Sequence, residues 1–204
     1  MRVNEIDTPA LVVDLERMER NIATMARFFA SRPAKLRPHF KTPKCAEVVE
    51  RQLAAGAIGV TCAKLGEAEA LAGAGVRTSV PLENQLVGAA KLSRLVALAP
   101  TLPELIVAVD SEAQVDALDA ALAGSNARIG VLIEADIGMH RCGTDTPEET
   151  VGLARRIAKS RAAWRGIMGY EGHAVLVPDA GKRKELAETA GAALRAHAAA
   201  LRTA

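Results

Sequence analysis

The sequence predicts an α/β fold built on parallel strands, and three observations carry that prediction. Short apolar runs alternate with longer amphipathic stretches seven times, a pattern that calls for parallel strands joined by right-handed crossovers. The hydrophobic residues, half of the chain, are mostly Ala, Leu and Val, with one Trp, one Tyr and three Phe, as suits many helices packed on strands. No Gly-x-Gly-x-x-Gly follows the first apolar run, which takes weight from a dinucleotide-binding doubly wound sheet and gives it to a (β/α)8 barrel.

The elements follow in order. Residues 10–14 (Ala-Leu-Val-Val-Asp) read as a strand and 15–30 as a helix. Residues 35–40 are the next strand, and the helix 45–55 stops at Gly56. A strand at 58–62 precedes a helix at 65–72, closed by Gly73 and Gly75. A weak strand at 78–82 and a helix at about 87–99 come next. The strong strand 104–110 leads through Ser111, a suitable N-cap, into the helix 112–123. Strand 128–134 precedes the helix 147–160, capped by Thr146; strand 164–170 and helix 182–201 complete the set. A closed barrel needs eight strands, and a barrel left open would present two unpaired edges. The expectation is therefore an open sheet or part of a longer protein.

Composition narrows the function. With 26 basic and 24 acidic residues the net charge is +2, too balanced for a nucleic-acid surface, and the aromatic content is too low for base stacking. Arg155-Arg156 and Lys182-Arg183-Lys184 read as solvated helix faces. No apolar run is long enough to span a bilayer and no signal peptide is evident, so a cytoplasmic protein is expected. Cys45, Cys62 and Cys142 form no disulfide framework, which suits a reducing compartment. His140, Cys142 and Cys45 supply too few ligands for zinc, so no metal site is expected.

The polar residues of interest cluster after the predicted strands: His39 and Lys41, Lys64, Asp110, then Asp136, Met139, His140 and Arg141, then Tyr170, Glu171 and His173. In a parallel sheet such positions converge on one face, where these folds build active sites. Lys41, in Arg37-Pro38-His39-Phe40-Lys41-Thr42, leads the set, because a desolvated lysine can attack a carbonyl and form a Schiff base. Arg141 lies between Gly138 and Gly143, where backbone can approach a ligand and a guanidinium can meet an oxygen anion. Bland readings stand beside these: Asp110-Ser111 as helix capping, Lys64 as a charge at a helix start, Cys62 as core and His197 as surface.

Five segments in order carry a resemblance: Asp7-Thr8-Pro9-Ala10, Arg37 to Thr42, Cys62-Ala63-Lys64-Leu65-Gly66-Glu67-Ala68, Asp136 to Gly143, and Gly169-Tyr170-Glu171-Gly172-His173. Together the chain resembles the D-threonine aldolase and D-serine dehydratase group, whose pyridoxal-phosphate barrel is shared with the N-terminal domain of alanine racemase. The resemblance spans essentially the whole chain, residues 1–204, as one barrel domain with about six barrel strands and an N-terminal strand. It implies pyridoxal 5'-phosphate as cofactor, held by Lys41, with Arg141 near its phenolic oxygen and His173 and Tyr170 against its ring. His39 supports the lysine, and Lys41 and His173 are the catalytic pair.

The implied reaction is retro-aldol cleavage of a D-3-hydroxy amino acid such as D-threonine to glycine and an aldehyde. The alternatives are a D-serine or D-threo-3-hydroxyaspartate dehydratase, a racemase with a second base, or a cofactor-binding module or truncated fragment without turnover. The family also implies a homodimer for the full-length protein, a glycine-rich phosphate-binding segment, and a C-terminal β domain with ligands for a divalent metal. Neither that segment nor that domain with its metal ligands has a counterpart in this sequence, which reads as a C-terminally truncated barrel.

Overall fold

In β2, Glu104–Val109, every residue after the first is buried, as befits a strand covered on both faces of a parallel sheet. The computed structural model describes residues 2–204. β2 lies between β1 (Ser79–Leu82) and β3 (Gly130–Glu134), and β4 (Ala163–Met168) follows, all parallel and in chain order. Two further extended segments continue the sheet beyond β1. Residues 58–62 reach β1 through Val60 N to Ser79 O (3.1 Å) and Cys62 N to Pro81 O (2.9 Å). Residues 36–40 reach that segment through Thr61 N to Pro38 O (2.8 Å) and Phe40 N to Thr61 O (2.7 Å). Both were expected as strands; they form only single bridges because Pro38 and Pro81 have no N–H to donate, which breaks the ladder.

Residues 10–14 depart from expectation. Among the described residues they join no strand, with Leu11 fully exposed and Val12 and Val13 more than half exposed. The run is apolar enough for a strand but has no neighbour to pair with.

The helices form close to where their caps place them. α1 (Leu15–Ala30) starts at Asp14, whose side chain accepts from Arg17 N at 3.0 Å. α2 (Ala46–Ala54), α3 (Leu65–Gly73), α4 (Ala89–Leu98) and α5 (Glu112–Leu122) cover the early strands. α6 (Pro147–Ile157) has the Thr146–Glu149 capping box with Pro147 at its first position. The short α7 (Gly172–Val175) and long α8 (Ala180–Thr203) follow β4. The core is fully buried aliphatic side chains such as Leu71, Leu95, Leu105, Leu118 and Ile133, each worth about 2 kcal/mol of burial. α1 is the exception: none of its residues is buried, and an apolar cavity of about 450 Å³ separates Ile22, Met25 and Phe29 from Leu36. That cavity touches none of the predicted site residues.

His197, expected at the surface, is buried beneath α6. Its Nδ1 lies 2.7 Å from Thr150 Oγ1, which lies 2.6 Å from Thr144 Oγ1, and Thr144 N donates to Glu134 O at 2.9 Å. Burial lowers the His197 pKa, while Glu148 and Glu149 pull it upward. The unfolded chain therefore takes up this proton more readily than the folded one. Stability is complete above the unfolded value of about 6.5 and falls as pH drops below it. In urea titrations between neutral and mildly acidic pH, His197→Gln is expected to flatten this slope; an unchanged slope would clear His197 of the effect.

Candidate active site

The carboxyl ends of the strands bring together most of the predicted residues. Lys41 stands exposed one residue beyond Phe40, on a turn where Lys44 N donates to Phe40 O at 2.9 Å. Its own N–H donates to His39 Nδ1 at 3.2 Å. From the opposite side come Arg141, in the loop after β3, and Tyr170, just past β4. The Tyr170 ring joins them, with Lys41 Nζ at 5.9 Å and Arg141 Cζ at 5.5 Å from its centroid, within cation–π range.

The Arg141 loop is built from its acids inward. Asp136 Oδ1 accepts the backbone N–H groups of Gly138, Met139 and His140 at 2.9, 2.9 and 3.1 Å, and Oδ2 lies 3.1 Å from His140 Nδ1. Burial works against the Asp136 charge, but these donors prevail and hold its pKa low. Gly143 N donates to Asp110 Oδ2 at 3.1 Å, so Asp110 ties β2 to the loop, while Ser111 makes no side-chain cap. Gly138, at φ +112°, lies against His173, whose Cε1 would be 3.2 Å from any Cβ there. His173 sits in α7, and its Nδ1 is enclosed without a hydrogen-bond partner among the described residues. No described contact joins His173 to Lys41.

Two carboxylates were missed. Glu134, the last residue of β3, is buried, accepting from Gln85 Nε2 at 2.5 Å and Cys142 Sγ at 3.2 Å, with Arg141 Nη2 at 4.0 Å. Cys142 and Glu134 beside it push the Arg141 pKa up, so the guanidinium stays charged. Burial, then Glu134, raises the Cys142 thiol against the pull of Arg141. Glu83, the residue after β1, has Oε2 3.1 Å from His39 Nε2. The rule that found Asp110, a polar residue directly after an apolar run, applies equally to Glu83 after Leu82 and Glu134 after Ile133. Lys64 only begins α3, exposed, and Cys62 is core, with burial raising its thiol to about 12.

Comparison with known proteins agrees with this architecture. The chain is 35% identical over 168 residues to a D-threonine aldolase of Arthrobacter sp., covering 82% of this chain and 44% of that protein. The crystal structure of D-threonine aldolase from Filomicrobium marinum superposes with a TM-score of 0.94 at 38% identity, over 98% of this chain and 54% of that one. D-threo-3-hydroxyaspartate dehydratase from Delftia sp. gives a TM-score of 0.87 at 32% identity, over 98% of this chain and 52% of that one. The chain thus spans about half the length of these relatives. The family model described as alanine racemase, N-terminal domain, matches residues 13–204, and the chain belongs to that family.

Proposed function

We propose that this chain forms the cofactor-binding barrel of a pyridoxal-phosphate lyase that cleaves D-3-hydroxy amino acids to glycine and an aldehyde. The observation that carries the reading is the convergence of Lys41 and Arg141 on the Tyr170 ring at the mouth of a parallel sheet. The mouth suits the cofactor's ring and aldehyde end. A primary amine and a charged guanidinium flank one aromatic side chain, and His173 Nδ1 stands enclosed with nothing to bond. Among the described residues no three His, Cys, Asp or Glu gather as a metal-ligand set.

When bound, pyridoxal phosphate supplies an electron sink for the pair released as the Cα–Cβ bond breaks. Lys41 would hold the cofactor by its aldehyde end, since its amine is the nucleophile that such a carbon requires. Arg141, kept cationic, would meet an oxygen anion of the cofactor. Tyr170 screens one side of the mouth from water. His173 Nδ1 is the nitrogen left free to exchange a proton with a bound molecule. The small-molecule substrate and a homodimeric assembly belong to the same reading.

The test is a visible spectrum of the intact protein with pyridoxal phosphate before and after borohydride, then peptide mapping. The expected result is a single modified lysine, Lys41. Modification elsewhere, or nowhere, defeats the proposal. Product analysis with D-threonine then distinguishes the reactions: glycine plus acetaldehyde supports an aldolase, while ammonia plus a keto acid assigns a dehydratase.

A further inference from the structure

Glu83 stands at the mouth with an incomplete set of partners. Its backbone N–H is used by the sheet, donating to Cys62 O at 3.0 Å, and its carboxylate reaches across the 58–62 segment to His39. The 3.1 Å separation of His39 Nε2 and Glu83 Oε2 is ion-pair distance without the alignment of a hydrogen bond, and Nε2 is otherwise enclosed and unpartnered. His39 Nδ1 accepts the Lys41 N–H, so in the neutral ring the proton sits on Nε2, the nitrogen nearest Glu83. Burial, then the Lys41 charge, lowers the His39 pKa against the pull of Glu67, which keeps the ring neutral in neutral solution. Burial raises the Glu83 carboxyl; Lys41 and Arg141 draw it down and Glu134 pushes it up. A half-enclosed carboxylate this weakly satisfied contributes little to folding, and such groups concentrate in working sites.

We propose that Glu83 is a positioning residue for Lys41: its carboxylate, acting through the His39 imidazole, fixes the turn that presents the Lys41 amine to an aldehyde. The inference rests on the reading of Lys41 given above. The chain of contact is continuous, from Glu83 Oε2 to His39 Nε2, across the ring to Nδ1, and on to the Lys41 N–H. It spans three neighbouring segments of the sheet, so the amine is referred to β1 rather than to its own turn alone. In the step it serves, Lys41 Nζ adds to the aldehyde carbon, a C=N double bond replaces C=O, and the oxygen leaves as water with the two amine protons.

The intact protein is compared with Glu83→Gln and Glu83→Asp by two readouts. NMR follows the His39 ring without cofactor, with Lys41, Glu67 and Glu83 as the charged groups facing it. Timed borohydride quenching follows capture of pyridoxal phosphate at Lys41. Glu83→Gln is expected to lower the His39 midpoint, since it removes an anion that stands 3.1 Å from Nε2. It should also slow capture at least about fivefold, with the thermal midpoint unchanged and Glu83→Asp restoring part of both effects. An unmoved His39 midpoint overturns the proposal, and so does a moved midpoint with capture at the wild-type rate. Wild-type capture at lysines other than Lys41 defeats the functional reading instead, and the His39 titration then still reports whether Glu83 engages the ring.

Discussion

Lys41→Ala is expected to abolish the borohydride-fixed label and to lower cleavage of D-threonine by more than about a thousandfold. Its amine, beside the Tyr170 ring, is the group placed to bond covalently to an aldehyde in this reading. Arg141 cannot replace it, since a guanidinium stays protonated in protein settings. Folding should be untouched, because Lys41 is exposed and its structural hydrogen bond comes from the backbone N–H, which alanine retains. Lys41→Arg sharpens the test by keeping the positive charge near Tyr170 while removing the nucleophile. Label and turnover should vanish in both variants with thermal midpoints near wild type. Substantial residual turnover in either would place the covalent chemistry on another residue.

The largest structural effect is expected at Gly143. Its φ of +108° lies in the left-handed region, and a Cβ there would stand 2.5 Å from Asp136 N and 2.7 Å from Ala135 C, both backbone atoms that cannot swing aside. Around it the loop is pinned by Gly143 N to Asp110 Oδ2 at 3.1 Å and by Asp136 N to Thr144 O at 3.0 Å. Gly143→Ala should therefore cost about 3 kcal/mol or more, combining conformational strain with a clash. For a chain of this size that lowers the thermal midpoint by roughly 6–12 °C. Gly124→Ala is the control: φ is +74° but nothing lies within 4 Å of the added methyl, so only strain of about 1 kcal/mol remains. Equal midpoints for the two alanine variants would show that the Arg141 loop moves aside freely.

Much of the architecture was legible because it rests on local chemistry. Asp14 and Thr146 mark their helices by accepting from amides three residues on, and the apolar run of β2 admits no other placement. What was lost concerns partners. Residues 10–14 have strand composition, but composition does not report whether a neighbouring strand exists. His197 sits on an alanine-rich helix whose weak amphipathicity hides which face packs against α6. In the site, Lys41, Arg141 and Tyr170 follow from strand ends and meet in space. His173 meets the Arg141 loop at Gly138 rather than Lys41. Glu83 and Glu134 went unnoticed because an acid closing a strand reads as ordinary solvation until the fold shows what surrounds it.

The buried thread from His197 through Thr150 to Thr144 constrains how the sequence can drift. Changing Thr150 to valine alone strands the buried His197 Nδ1 at a cost of about 1–3 kcal/mol, whereas changing His197 to leucine leaves Thr150 Oγ1 bonded to Thr144 Oγ1 and Thr146 O. Changing both removes the stranded nitrogen but leaves Thr144 Oγ1 with only Glu134 O, at 3.5 Å. The two positions, 47 residues apart, are therefore coupled in stability: Thr150→Val costs less once residue 197 is apolar.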